Sequence, residues 1–128
     1  MDTGGIVIAA VGLVIAGGLS FLITSQAGKG NIAVNSAIGI KTKITQSSQE
    51  AWEVAHRAAL PWVKAAAIVC ASAALFSVWV AARPESLDVS EGGVFAVLMI
   101  GYAGLLVLMG LGVRAAHQAV RSEIDPTL

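Results

Sequence analysis

Three long apolar stretches dominate the pattern of hydrophobic and polar positions along this chain. They cover residues 4–24, 61–82 and 94–113, and Lys64 is the only charged residue within them. A helix rises 1.5 Å per residue, so about 20 apolar residues cross the roughly 30 Å hydrocarbon core of a bilayer. The pattern therefore predicts an all-α membrane protein with three transmembrane helices in a single membrane domain, residues 1–128.

The ends of the first two stretches indicate how each helix begins. Asp2 is the only side-chain charge before the first stretch, whereas a signal peptide begins with a basic region. A signal anchor is therefore the better interpretation, with cleavage after Ser25-Gln26-Ala27 as the alternative. Pro61 suits the first turn of a helix, where its missing N–H would be unpaired anyway, so we expect the second span to start there.

Composition and charge exclude several classes of function. Only 12% of the residues are charged, about half the share of a soluble domain, and Lys plus Arg balance Asp plus Glu at eight each. This balance provides no basic field for nucleic acid, so we expect no nucleic-acid partner. The single cysteine, Cys70, excludes an internal disulfide and a cysteine-based metal framework.

The cations predict an orientation in the membrane. Seven of the eight lie in the predicted loop between the first two spans, at its edge, or after the third span: Lys29, Lys41, Lys43, Arg57, Lys64, Arg114 and Arg121. The connection between the second and third spans holds Arg83 together with Glu85, Asp88 and Glu91. Short loops rich in Lys and Arg stay in the cytoplasm, so we expect an outside N-terminus and a cytoplasmic C-terminal tail, residues 114–128.

The predicted loop, residues 25–60, is far longer than the two to eight residues that commonly join neighbouring helices. Its second half contains Ser47-Ser48-Gln49-Glu50, the pattern of a capping box in which Ser47 caps a helix and Glu50 reaches back. We expect an amphipathic helix from there to Leu60. It would lie flat on the inner membrane surface, or fold under the helix bundle, before Pro61 turns the chain upright.

The first half of this loop alternates like a strand. Ile38, Ile40, Thr42 and Ile44 alternate with small or basic residues. A lone strand is marginal, so an extended segment pinned against the amphipathic helix is the better interpretation. His56 would hold it by donating a hydrogen bond to a loop carbonyl, and Gly39 would permit a bend.

Several of these residues together resemble a known family. They are Asn35, Ile38-Gly39-Ile40-Lys41-Thr42, Thr45, Ser48, Trp52 and His56-Arg57, directly before a membrane span. This signature, over roughly residues 31–80, resembles the SdpI family of bacterial integral membrane proteins, here in a short three-span form. The resemblance implies a bacterial plasma membrane protein. It also implies immunity to a secreted membrane-active toxin, or retention of a transcriptional repressor at the membrane.

We predict that a set of loop residues binds a partner or lipid: Asn35, Gly39, Lys41, Thr42, Trp52, His56 and Arg57. The alternative for Lys41, Lys43 and Arg57 is that they only enforce topology and touch inner-leaflet lipid. Glu53, His56 and His117 make a weak metal site, so we expect no metal and no cofactor. No catalytic set of side chains is recognisable, so we expect no enzymatic activity.

The spans carry small residues at four-residue steps. Gly12, Ala16 and Ser20 form one such face, and Ala66, Cys70 and Ala74 form another. These faces either hold the three helices together or join a second membrane protein. The leading prediction is a non-enzymatic protein that binds membrane lipids and either another membrane protein or a membrane-active peptide. The alternative is an accessory subunit of a larger membrane or cell-envelope complex, joined through Gly12, Ala16 and Ser20.

Overall fold

The computed structural model describes residues 2–83 and 90–128, without the side chain of Glu91. It contains the helices α1 (Thr3–Gly28), α2 (Gln49–Ala81) and α3 (Glu91–Glu123). Each helix is long and apolar enough to cross a membrane, with mean hydropathies of 2.7, 1.9 and 2.4 in their most apolar windows. The predicted all-α fold with three transmembrane helices is therefore confirmed. The predicted acidic connection with Glu85 and Asp88 lies outside the described residues.

Helix α2 lies between the other two helices, and both α1 and α3 pack along it. Its buried positions follow one face at three- and four-residue steps: Ala59, Val63, Ala66, Cys70, Ala74 and Ser77. Most of these side chains are small, so the neighbouring backbones can approach closely. Along this face of α2, close packing of small side chains thus forms most of the interface with the other two helices.

Gly17 marks the tightest approach of α1 to α2. A Cβ atom at this position would lie 3.0 Å from the Cβ of Cys70 and 3.1 Å from the Cα of Ala67. The adjacent Gly18 has nothing within 4 Å of the same position, because it points away from the bundle. The two helices can therefore pack at this distance only with glycine at position 17.

Contacts between α1 and α3 are fewer and lie around Tyr102. Its hydroxyl donates a hydrogen bond of 3.0 Å to the carbonyl of Ala9, and a Cβ at Gly12 would lie 3.2 Å from the same oxygen. Further along, Ser20 and Met109 line one small cavity. Gly12 and Ser20 of the predicted face therefore have neighbours on α3, although Gly12 remains exposed and Ser20 is half-buried. The corresponding residues of α2, Ala66, Cys70 and Ala74, are buried.

Large apolar side chains cover the outside of the bundle. Ile8, Leu75 and Leu106 are each more than 70% exposed, and each lies within the apolar stretch of its helix. Exposed surface of this kind is compatible with lipid and is too extensive for a water-soluble monomer. The protein is thus a multi-pass membrane protein by length, composition and surface.

The prediction that a new helix starts at Pro61 is wrong, because α2 continues without interruption from Gln49 to Ala81. A proline inside a helix cannot donate to the carbonyl four residues earlier, and it costs about 3 kcal/mol. The buried face of α2 nevertheless runs through this point, with Ala59 before Pro61 and Val63 after it, both inaccessible. The predicted amphipathic helix is therefore the first third of α2, and it does not lie flat as a separate element.

The predicted capping box is also wrong by one residue. Ser48 is the N-cap of α2, and its hydroxyl accepts a 3.0 Å hydrogen bond from the backbone N–H of Ala51. The hydroxyl of Ser47 instead donates to the carbonyl of Ile44 at 2.8 Å, closing the preceding turn. Glu50 lies in the first helical turn, where its charge is favourable near the helix N-terminus.

Helix α3 extends ten residues beyond the predicted end of the third span, to Glu123. Beyond it the chain folds back, because the Nε of Arg121 donates a 2.6 Å hydrogen bond to the backbone oxygen of Leu128. Ile124 and Leu128 pack against a buried cluster that includes Val120. The tail is therefore part of the packed structure rather than a separate end.

We predict that Gly17→Leu destabilises the protein, because the new side chain would overlap Cys70 and Ala67. Overpacking of this kind costs about 1–3 kcal/mol. The measurement is thermal unfolding of the full chain in mild detergent. Gly18→Leu is the matched control and should unfold at the wild-type temperature or above it. Equal unfolding temperatures for the two variants would contradict the described packing of α1 on α2.

Candidate functional site

Residues 29–48 join α1 to α2, and we call them the connecting segment. They form turns and bends rather than the predicted extended structure, and no strand occurs in the described chain. Hydrogen bonds from Ser36 N to the carbonyl of Ala33, and from Gln46 N to that of Thr42, mark two of the turns. The prediction of an extended segment is therefore wrong. The prediction that the segment is pinned against the following helix agrees with its contacts.

His56 is the main point of attachment. Its side chain is fully buried, and its Nε2 accepts a 2.9 Å hydrogen bond from the backbone N–H of Ile40. Because a backbone N–H can only donate, Nε2 carries no proton, and Nδ1–H donates to the carbonyl of Trp52 at 2.7 Å. The prediction that His56 donates to a loop carbonyl is therefore wrong in direction: His56 accepts from a loop N–H.

Trp52 lies one helical turn before His56 and is also fully buried. Its indole Nε1 donates a 2.9 Å hydrogen bond to the carbonyl of Ile32, and its ring lies 4.2 Å from the imidazole of His56, centroid to centroid. Residues four apart share one face of a helix. The two side chains thus hold the connecting segment at Ile32 and at Ile40.

Gly39 lies against both rings. Its φ of +120° is in a region that other residues rarely adopt, and a Cβ would lie 2.6 Å from Cη2 of Trp52 and 3.1 Å from Nε2 of His56. Conformation and space therefore both require glycine here. Without a side chain at this position, the backbone comes close enough for the N–H of Ile40 to reach His56.

Two threonines close the next turn and connect it to α3. The hydroxyl of Thr45 donates to the carbonyl of Ile40 at 2.6 Å and accepts from the backbone N–H of Thr42 at 3.0 Å. The hydroxyl of Thr42 lies 2.9 Å from Nε2 of His117 in a hydrogen bond. Both histidines of the chain thus bind the connecting segment within three residues of each other, His56 at Ile40 and His117 at Thr42.

Arg57 and Gln49 fix the start of the connecting segment. The guanidinium of Arg57 donates a 3.0 Å hydrogen bond to the carbonyl of Gly28 at the end of α1, and lies 3.9 Å from a carboxylate oxygen of Glu53. The amide oxygen of Gln49 accepts a 3.0 Å hydrogen bond from the backbone N–H of Val34. Arg57 is therefore largely a helix-capping residue here, since cations are favourable near a helix C-terminus.

An apolar cluster lies beneath the turn. Ile40, Ala51, Ala55, Ala116 and Val120 are buried together, and Ile44 packs against them. The cluster joins the connecting segment, the start of α2 and the end of α3. The parts of α2 and α3 that extend beyond the apolar stretches thus pack together with the connecting segment in this cluster.

The structure divides the seven predicted site residues into two groups. Gly39, Trp52 and His56 are in mutual contact, Thr42 is connected to them through Thr45, and Arg57 caps α1. Asn35 and Lys41 are exposed.

Sequence reasoning missed the roles of Thr45, Gln49 and His117. Thr45 was visible in the family signature. For His117 the sequence indicates only a weak metal site. Within residues 2–83 and 90–128, no three His, Cys, Asp or Glu side chains are arranged to hold a metal.

Burial lowers the pKa of His56, because the charged imidazolium loses hydration, and the hydrogen bond to the Trp52 carbonyl opposes this effect only in part. Protonation would also place an N–H at Nε2, against the N–H of Ile40. An unpaired buried backbone N–H costs about 1–3 kcal/mol. The site therefore requires a neutral His56.

We predict that Gly39→Ala destabilises the site much more than Gly30→Ala. Both glycines have positive φ, at +120° and +82°, so both variants incur backbone strain of about 1–2 kcal/mol. At Gly30 the new methyl group would meet only the end of the flexible Glu53 side chain, whereas at Gly39 it would meet the buried Trp52 ring. Thermal unfolding and tryptophan fluorescence check the difference, and equal losses would contradict the described contact.

We predict that the free energy of unfolding decreases as the pH falls below about 6.5, the ordinary pKa of histidine. In this range the unfolded chain binds a proton at residue 56 that the folded chain excludes. The contribution of neutral His56 to the free energy of unfolding is therefore fully present above that pH and is lost progressively below it. Unfolding in mild detergent between pH 7.5 and pH 5 measures the effect. His56→Gln should lose this pH dependence and His117→Gln should keep it; an unchanged dependence in His56→Gln would contradict the assignment.

Comparison with known proteins adds one finding. The model of the SdpI/YfhL protein family matches residues 31–113, which is more than half of the chain. The match begins at the connecting segment and extends through α2 into the third span. No curated protein and no solved structure matches this chain. The matched region thus contains the contacts of Gly39, Trp52 and His56.

Proposed function

The chain belongs to the SdpI/YfhL family, and we propose that it is a non-enzymatic membrane protein that acts by binding a partner through its connecting segment. The observation that carries this proposal is the hydrogen bond from Ile40 N to Nε2 of His56. A long connection held by buried side chains keeps one shape, and a rigid loop is a suitable binding element because little entropy is lost on binding.

The outward side of the connecting segment presents both basic and apolar groups. Lys41 and Lys43 are exposed. Ile38 is 47% exposed, although the next residue, Gly39, contacts the buried ring of Trp52. An apolar side chain beside two cations suits a partner surface with acidic and apolar groups. The exposed Asn35 adds a hydrogen-bonding amide on the same segment.

We propose that this end of the molecule faces the cytoplasm of a bacterium. Because α2 and α3 are antiparallel and His117 contacts Thr42, Arg114 and Arg121 lie at the same end as the lysines of the connecting segment. This distribution follows the positive-inside rule. A cytoplasmic regulatory protein meets the segment directly, whereas a secreted toxin meets it only after inserting into the membrane.

Two roles are consistent with this surface, and the family resemblance supports both. In the first, the protein confers immunity to a membrane-active peptide by binding it at the inner membrane boundary. In the second, it retains a regulatory protein at the membrane. Both require the exposed residues Asn35 and Lys41, and both require His56 and Trp52 to hold them in position.

We predict that Lys41→Glu abolishes binding while leaving the fold intact, because Lys41 is exposed and the new charge would repel an acidic partner. The full-length tagged chain is expressed in a bacterium that lacks its own immunity protein. That bacterium is challenged with the secreted toxin against which the family's namesake protects. A mild-detergent pull-down with mass spectrometry is run in parallel.

Lys29→Glu is the control for this experiment, since it makes the same charge change on an exposed residue at the first position of the connecting segment, separated in sequence from Asn35, Ile38 and Lys41. Protection by the wild type and by Lys29→Glu, but not by Lys41→Glu, indicates immunity. A stoichiometric partner lost only in Lys41→Glu, without protection, indicates membrane signalling. No protection, together with no partner that depends on Lys41, would contradict the proposal.

An accessory subunit of a larger membrane complex is the second candidate, and one groove on the outside of the bundle favours it. Apolar side chains of α1 and α2 line a cavity of about 230 Å³: Ala10, Val11, Val14, Ile15, Ala74, Leu75 and Val78. Gly12 and Ser20 already have neighbours on α3 within the chain, so this groove is the better interaction surface. A partner retained by Lys41→Glu but lost in Val14→Trp would support this candidate instead.

A further inference from the structure

A second groove differs from the first because it combines polar and apolar groups at the membrane boundary. It lies between α2 and α3, has a volume of about 240 Å³, and is lined by Trp62, Leu111, Arg114, Ala115 and Gln118. None of these residues contributes to the attachment of the connecting segment. The groove is open to the outside of the bundle.

The position of this groove along the membrane normal follows from the charge-free runs. Trp62 comes just before the uncharged run 65–82 of α2, and Arg114 comes directly after the uncharged run 94–113 of α3. Tryptophan is enriched at the boundary between hydrocarbon and headgroups, and arginine lies at headgroup depth. The groove therefore crosses from the hydrocarbon core into the headgroup layer.

Gly112 allows α3 to approach α2 closely beside Trp62. A Cβ at Gly112 would lie 3.4 Å from the Cβ of Trp62 and 3.6 Å from the carbonyl oxygen of Ala59, so the backbone of α3 is close to α2 here. The Trp62 side chain is 39% exposed and forms one wall of the groove. Opposite it, Leu111 and Ala115 form an apolar surface.

The polar end of the groove is positively charged. Arg114 and Gln118 are one turn apart on α3, both exposed, and Arg114 forms no ion pair within residues 2–83 and 90–128. A guanidinium can donate two parallel hydrogen bonds to a phosphate, and the neighbouring amide can donate a third. This donor set is complementary to the phosphate of a phospholipid, and the apolar wall next to it is complementary to an acyl chain of the same lipid.

We propose that the groove between α2 and α3 binds one anionic phospholipid, with its phosphate at Arg114 and Gln118 and an acyl chain along Trp62, Leu111 and Ala115. An anionic lipid is favoured over a zwitterionic one because Arg114 is in no ion pair with the acidic residues of 2–83 and 90–128, so no carboxylate there stands ready to balance a headgroup cation. The inference does not depend on which end of the molecule faces the cytoplasm.

The test is native mass spectrometry of the purified full chain in mild detergent, with phosphatidylglycerol and phosphatidylcholine of identical acyl chains as probes. The wild type should bind one phosphatidylglycerol in preference to phosphatidylcholine. Arg114→Gln should weaken phosphatidylglycerol binding about tenfold, since charge-assisted hydrogen bonds to one phosphate are lost. Arg114→Lys should retain part of the preference, because it keeps the charge without the planar guanidinium.

Lys64→Gln is the matched control. Lys64 lines a different groove, between α1 and α2, with Phe21, Ala67, Ile68 and Ala71, and its substitution removes one cation at similar depth. This variant should bind phosphatidylglycerol like the wild type. Equal binding of the two lipids by the wild type, wild-type binding by Arg114→Gln, or an equal loss in Lys64→Gln would overturn the proposal. Unfolding temperatures confirm that each variant is folded.

Discussion

A histidine ring nitrogen accepts a hydrogen bond only while it carries no proton, and His56 uses Nε2 in this way for the N–H of Ile40. Its other nitrogen donates to the carbonyl of Trp52, so the buried imidazole is satisfied on both sides in one tautomer. Residues 29–48 belong to no helix or strand, so no regular ladder of backbone hydrogen bonds holds the connecting segment. Its shape therefore depends on this contact, on the indole of Trp52 and on the threonine turn.

The continuity of α2 links this site to the membrane-spanning part of the protein. Trp52 and His56 lie on the same helix face as Ala59 and Val63, at steps of three and four residues. Pro61 does not break the helix. The orientation of that face is therefore set both by the packing of the membrane spans and by the packing of the first third of α2 against the connecting segment and the end of α3. A rotation of α2 in the membrane would move Trp52 and His56, and with them the connecting segment.

The spans could be predicted from sequence because hydrocarbon requires a run of apolar residues that can be counted directly. The contact between the connecting segment and Trp52 and His56 could be anticipated from the family signature and the helical spacing. The direction of the His56 hydrogen bond could not, because a neutral imidazole can donate or accept at either nitrogen until its partners are known. Ser47 and Ser48 are equally good caps in isolation, and the turn that binds Ser47 decides between them. The start of a new helix at Pro61 is a wrong prediction because burial of Ala59 and Val63 outweighs the local preference of proline, and that burial depends on tertiary packing.

The tautomer of His56 is the most direct test of this account, and ¹⁵N NMR of the imidazole nitrogens in the full chain at pH 7.5 measures it. The account predicts a neutral ring protonated at Nδ1, with Nε2 showing the shift of an unprotonated acceptor and with a scalar coupling to the amide of Ile40. A ring protonated at Nε2, or a charged ring at that pH, would contradict the account, because neither form can accept the hydrogen bond that holds the connecting segment.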